Sequence, residues 1–372
     1  KLNVPNVLID TEAPYEVGAQ KSFWATNTDT NENFKVQATL RYVGDNIYFW
    51  IENSVRYNQS DLIPLAETFD KEIIPTDREF FGEEWNPGVD GDPRFYVLYA
   101  GNLGMNLAGY YSSADELHPD AHPYSNAHEM FLINSDTVDL RDNYIYGTMA
   151  HEFQHMIHWY QDRNEETWVN EGFSMLAEHV NNYDAGGFDW EYMDNTDMQL
   201  NDWGGDVGDN GPHYGASYIF FVYFLDRFGD DATKALVRHD ENGFTGIEKV
   251  MEELDLVNPT PEKPYTANEF FADWAVANLL QDTSIENGRY GYLSYSPTYV
   301  DMEKSVMACP TKLNGDVYQY GVDYIEIDCG SLDSIQITAS AAVRLLPFTA
   351  PSSGDYFIWS NAGAESTSHL SK

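Results

Sequence analysis

The sequence predicts an α+β protein in which strands and helices segregate along the chain. Three observations carry this. Residues 1–58 read as strands punctuated by turn residues, the stretch from 147 to 283 is dominated by helical periodicity, and beyond about residue 284 the pattern returns to short strands and turns. The expected division is an N-terminal β-rich segment (1–58), a central domain (59–284) and a β-rich C-terminal domain (285–372).

Taken in order, Phe34 to Val43 and Ile47 to Glu52 flank Gly44-Asp45-Asn46, a turn sequence that predicts a hairpin. A helix follows over Gln59 to Phe81, with Leu62, Leu65, Phe69 and Ile73 at helical spacing; Pro64 lies near its start and Pro75 should kink or end it. Asn86 to Pro93 turns through Gly and Asp and enters a strand at Phe95 to Ala100. Asp90 and Asp92 are calcium candidates there, although such a cluster before a strand is more often a turn. After loop-like sequence from Gly101 to Pro123, Asn126 to Asn134 reads as a strand directly upstream of the next helix.

That helix holds His151-Glu152-Phe153-Gln154-His155. Positions i and i+4 of a helix lie only about 40° apart around its axis, so both imidazoles face one point, the spacing of two zinc ligands. Glu152 is rotated by roughly 100° from His151, within reach of a metal-bound water as a general base. A catalytic zinc site needs a third protein ligand. The extended motif with Gly and His three and six residues on fails, because His158 and Gln161 stand there. A carboxylate from a second helix is available instead: Trp168-Val169-Asn170-Glu171-Gly172 opens an amphipathic run, and Asp162 to Thr167 can turn it back antiparallel. His158 and His179 read as packing or supporting residues.

HEFQH followed by WVNEGFSMLAE resembles the gluzincin metallopeptidases, the broad group of thermolysin and the aminopeptidase N family. The resemblance implies that 59–284 is a gluzincin-like catalytic domain, with an N-terminal mixed sheet, active-site helices and a helical lower lobe. It makes His151, His155 and Glu171 the zinc ligands, Glu152 the base, and Glu178 a supporting partner of a ligating His. It also implies an edge strand that aligns the peptide substrate by strand addition; Asn126, Ala127 and Glu129 of the upstream strand are the candidates, the Asn-Ala pair being similar to that of thermolysin relatives. The GAMEN motif by which the aminopeptidase N family grips a free amino terminus is absent from the sequence, which favours an endopeptidase. Residues 126–229 as a whole look similar to the hyicolysin and immune inhibitor A-type secreted proteases.

Beyond Asn181 a loop rich in Asp, Asn, Gly and Trp offers Asp202, Asp206 and Asp209 as a further calcium possibility, with an acidic rim as the plainer reading. His213-Tyr214 then opens a strongly apolar helix that should end at Gly229. In the aminopeptidase N family a catalytic Tyr opens a similar helix, so the resemblance nominates Tyr214 as the oxyanion donor, with His213 and Tyr218 as alternates. Helices are expected near Ala232 to His239 and Gly246 to Leu254, and over Thr266 to Leu280 behind the capping box Thr266…Glu269. Strands are expected at Tyr324 to Ile327, Ser334 to Thr338 and Tyr356 to Trp359.

Twenty Lys and Arg face 61 Asp and Glu, a formal net charge of −41. Such a surface repels phosphate backbones and anionic membranes, excluding nucleic acid and lipid headgroups as expected partners and leaving proteins or peptides. It suits a hydrated extracellular enzyme or one adapted to high salt. No apolar run approaches the roughly 20 residues of a membrane span, so the chain should be soluble, and KLNVPNVLID carries no export signal of its own. Cys309 and Cys329 should form one disulfide if the protein is secreted. The expected function is therefore a secreted zinc endopeptidase, with calcium as a possible second ion. An aminopeptidase and a non-catalytic calcium-dependent binding module are the rival readings.

Overall fold

The computed structural model describes residues 6–185, 187–203, 210–259 and 262–329, and beyond these the strand segments 334–335, 344–350, 354–360 and 370–371. The fold is α+β. Two compact units are distinguished, one running to Asn164 and taking in 173–185, the other comprising 165–172 and the chain from Gly187 onward.

The first unit is built on a six-stranded sheet of β1 (Gln20–Asn27), β2 (Glu32–Val43), β3 (Ile47–Glu52), β4 (Phe95–Ala100), β5 (Gly109–Tyr111) and β6 (Met130–Asn134), in the order β1-β2-β3-β4-β6-β5. The β2–β3 hairpin forms as the sequence predicts. Its turn is fixed by the Asp70 carboxylate, which accepts from the backbone N–H groups of Asp45 (3.0 Å) and Asn46 (2.8 Å). β3 pairs in parallel with β4, and β4 with β6. The N-terminal strands are thus continuous with the sheet that precedes the HExxH helix, and the boundary expected at residue 58 falls within one sheet.

Parallel pairing demands a long crossover. Between β3 and β4 it is helical: α1 (Gln59–Thr68), a π-helical turn (Phe69–Ile73) and α2 (Ile74–Phe81). Pro75 does not end this run. It stands at the first positions of α2, where its missing N–H costs no ladder bond, and the wider π turn absorbs the change of register before it. β3, β4 and β6 are buried on both faces. Tyr48, Trp50, Tyr96, Leu98 and Leu132 make one core with Phe23 and Leu40. On the other face Phe95 and Phe131 meet Phe69 of the π turn. Each such fully buried side chain contributes about 1.5–3 kcal/mol, so it is this aromatic layer that fixes where the next helix, α3 (Tyr144–Gln161), lies.

Helix α4 (Thr167–Val180) spans both ranges. The second unit continues with α5 (Phe188–Met193), α6 (Gly211–Val237), α7 (Gly243–Glu253), the short pair β7 (Val257–Pro259) and β8 (Glu262–Pro264), and α8 (Ala267–Leu280). α6 is interrupted at Gly229 (φ 76°, ψ −179°), the residue expected to end it. Both halves of the capping box at Thr266 and Glu269 form. Phe220 of α6 packs against Trp168, Phe270 and Trp274. The C-terminal strands β9 (Lys304–Val306), β10 (Val322–Ile327), β11 (Ser334–Ile335), β12 (Arg344–Ala350), β13 (Gly354–Ser360) and β14 (Leu370–Ser371) include a sheet ordered β12-β13-β10-β9. It is anchored to α8 where the Tyr324 hydroxyl donates to the Ala275 carbonyl (2.8 Å). Cys309 and Cys329 are disulfide-bonded, closing a loop of 20 residues. No helix among the described residues is long and apolar enough to cross a membrane.

Candidate metal centre

α3 buries Met149, Phe153, Met156 and Ile157 completely, and Phe153 stacks on Phe95 with ring centroids 4.9 Å apart. Anchoring one face in this way leaves His151 and His155 half-buried on another, their ring centroids 4.8 Å apart. α4 returns beside them. Its Ser174 Oγ lies 2.9 Å from His155 Nδ1, and its Glu178 Oε1 lies 3.0 Å from His151 Nδ1. Glu178 can come so close because residue 147 has no side chain: a Cβ there would sit 2.9 Å from Glu178 Oε2. Residues 171, 174 and 178 share one helix face by their spacing of three and four. His151, His155 and Glu171 each offer a ligand atom, and these atoms lie within 4.8 Å of one another.

The donor set is two imidazoles and a carboxylate, the composition of a catalytic zinc site with a position left for water. Each Nδ1 is engaged by α4, and a partner of this kind fixes the orientation of a ring that binds a metal. Burial pushes the Glu178 carboxyl up, while its hydrogen bond to His151 works the other way. Glu152 is buried, 5% exposed, between the two histidines in sequence. His158 takes the packing role: it is buried against Phe173 (5.7 Å between centroids), and desolvation lowers its pKa to about 3.

The expected substrate strand is where sequence and structure part. Residues 126–129 are not strand, and β6 is not an edge: β5 covers it, pairing Gly109 with Ile133 and Tyr111 with Phe131. The Asn126 amide is consumed in tying the chain to β1, its Oδ1 accepting from Trp24 N–H (2.7 Å) and its Nδ2 donating to the Trp24 carbonyl (3.0 Å). Ala127 adopts φ 56°, which breaks any strand. Glu129 is buried, accepts from Val89 N–H (2.7 Å), and desolvation raises its pKa to about 9. None of the three lies in a strand. The sheet edge is β5, too short for periodicity to reveal. Asn134 N–H donates to the Ala108 carbonyl, so antiparallel alternation turns the N–H and C=O of Gly109 and Tyr111 away from β6. A Cβ on Gly109 would lie 3.3 Å from Glu152 Cγ, so this edge runs against the HExxH helix at its glutamate.

In the second unit Tyr214 and His213 stand in the first turn of α6, after Pro212. Their rings pack on Trp203, with centroids 4.8 and 5.6 Å away, and Tyr214 also meets Phe188. Desolvation is the main cause that lowers the His213 pKa. Tyr218 is buried against Tyr295.

Of the calcium candidates, Asp206 and Asp209 lie outside the described residues. Asp92 accepts from the Tyr48 hydroxyl (2.9 Å) and Arg94 N–H (3.0 Å), the economy of a turn. Asp90 comes together with Asp10 and His128, but each acid already has a partner, His128 Nδ1 at 2.6 Å from Asp90 and Lys21 Nζ at 3.1 Å from Asp10. We read this cluster as fastening the N-terminal segment, whose Leu8 and Asp10 also pair by backbone with Val89 and Asp90.

Among characterised proteins, the chain is similar to the neutral metalloprotease ShpI of Staphylococcus hyicus, 28% identical over 307 residues, an alignment covering 74% of this chain and 67% of that protein. No family model matches the chain.

Proposed function

We propose that this chain is a zinc-dependent endopeptidase that acts outside the cell. The observation that carries the reading is the convergence of His151, His155 and Glu171, with Nδ1 of both histidines held from α4; the similarity to a neutral metalloprotease agrees with it. A bound zinc supplies Lewis acidity that makes a water nucleophilic near neutral pH. Glu152 takes the proton of that water and delivers it to the leaving amine nitrogen. The Tyr214 phenol donates to the oxyanion that develops on the scissile carbonyl. The substrate extends along β5 and hydrogen-bonds the outward N–H and C=O of Gly109 and Tyr111. The disulfide between Cys309 and Cys329 supports an oxidising, extracellular setting.

Two expectations follow. Tyr214→Phe should leave zinc content and fold intact while lowering kcat by about 10²–10³, the usual loss for one oxyanion donor, with little change in KM; steady-state kinetics on a blocked peptide check it. A near-normal kcat, with a large fall in His213→Ala, would transfer the role. Gly109→Ala should lower kcat/KM by at least about tenfold, because the new Cβ would stand 2.8 Å from the Leu132 carbonyl and force β5 away from Glu152. Unchanged kinetics in that variant would remove β5 from substrate alignment. Endopeptidase action itself is tested on a peptide capped at both ends, which an aminopeptidase leaves uncut.

A further inference from the structure

β5, the edge that the proposed function gives to substrate, is only three residues long, yet it is held from both faces of the sheet. Successive side chains of a strand alternate. A Cβ on Gly109 would face Glu152, so Tyr111 projects on the α3 side and Tyr110 on the other. The Tyr110 ring packs on the core of that other face, and its phenol oxygen accepts from the Thr26 N–H of β1 (2.8 Å), tying β5 to the opposite edge of the sheet. The Tyr111 phenol donates to Glu116 Oε1 (2.7 Å). Glu116 ends a 3₁₀ turn (Ser113–Glu116) that is itself fixed: Asp115 Oδ1 accepts from Asn126 N–H (2.9 Å) and from Asn126 Nδ2 (2.8 Å), and that amide is the one bound to Trp24 of β1.

Glu116 is poorly placed for stability. It is 3% exposed, and its Oε2 has no hydrogen-bond partner among the described residues. Desolvation pushes its carboxyl up to about 7, against the pull of the Tyr111 hydrogen bond and of Arg163, with Asp115 and Glu84 adding to the rise. A buried carboxyl with an idle oxygen destabilises a fold, whereas a pair of apolar groups of the same shape does not. What the pair supplies is geometry, since a displacement of about 1 Å in the groups that place a substrate lowers the rate by up to about 10²-fold. We propose that Glu116 is a positioning residue for substrate: by holding the Tyr111 phenol it fixes the outward N–H and C=O groups of β5 relative to Glu152, without touching substrate itself. The proposal rests on the reading of β5 as the substrate edge.

The test compares kcat/KM on a peptide capped at both ends, zinc Kd and thermal unfolding in the zinc-loaded full chain, with kinetics at a temperature where every variant is folded. Tyr111→Phe and Glu116→Met should each lower kcat/KM by about tenfold or more, with zinc Kd within about threefold of wild type. Each should also unfold at a lower temperature, because each leaves its partner unpaired. The double variant separates positioning from stability. It removes both polar partners, so its Tm should rise above that of either single variant, while kcat/KM stays at least about tenfold below wild type. Glu116→Gln keeps a carbonyl acceptor and should return kcat/KM to within about threefold of wild type; with Tyr111→Phe it carries the test if a Met variant does not fold. Recovery of kcat/KM together with Tm in the double variant overturns the proposal, as does a Glu116→Gln variant as slow as Tyr111→Phe. If the Tyr111 and Glu116 variants keep wild-type kcat/KM while Gly109→Ala loses it, the positioning role alone fails; if Gly109→Ala keeps it too, β5 is not the substrate edge and both readings fall.

Discussion

Glu152→Gln should retain one zinc per chain and lose about 10²–10⁴ in kcat, the contribution of a positioned general acid–base. The geometry explains both halves of that result. Glu152 lies in sequence between two histidines whose Nδ1 atoms are held from α4, and the substitution leaves both of those contacts in place. Its own carboxyl is buried beside the β5 edge, with its Cγ 3.3 Å from where a Cβ on Gly109 would be. The amide fits the same space but cannot accept a proton and pass it on. Stopped-flow or discontinuous assays on a capped peptide, paired with elemental analysis of the same sample, read both quantities. Normal turnover in the zinc-replete Gln variant would remove Glu152 from the chemistry.

The second large effect is on the metal. Glu171→Ala should weaken zinc by more than the roughly 10–100-fold typical of losing an outer partner, because in the proposed site it deletes one of three protein ligands rather than a support. Activity measured at limiting zinc should fall in proportion to occupancy. The ordering is the informative part: Glu171→Ala weaker than Ser174→Ala, and both weaker than wild type, in chelator competition. Full occupancy at unchanged affinity in Glu171→Ala would exclude Glu171 as a ligand.

Where the sequence carries long periodicity, the fold was legible. The β2–β3 hairpin, strand β4, helix α3 with its HExxH spacing, the capped α8 and the end of the first part of α6 at Gly229 all follow from alternation, helical spacing or turn chemistry. The miss at the substrate strand has a physical cause. Met130–Ile133 is fully buried and apolar, so it announces itself, yet buried apolar strands are the ones covered on both sides; the sheet edge, Gly109–Tyr111, is three residues long and embedded in Gly-, Ser- and Asp-rich sequence. Pro75 misled for a related reason, since its cost depends on the π turn before it and not on the residue alone. Ser174 left no signal at all. One serine on an amphipathic helix is unremarkable until α3 and α4 are placed side by side and its hydroxyl is seen on the His155 ring.

The central claim, that His151, His155 and Glu171 hold a zinc ion which enables peptide-bond hydrolysis, is tested most directly by stripping the protein with a chelator, restoring zinc in steps, and following cleavage of a peptide capped at both ends. The account predicts no cleavage by the stripped protein and recovery that saturates at one zinc per chain. Cleavage that survives stripping, or a zinc-saturated protein that cuts neither the capped peptide nor a denatured protein mixture, would contradict it.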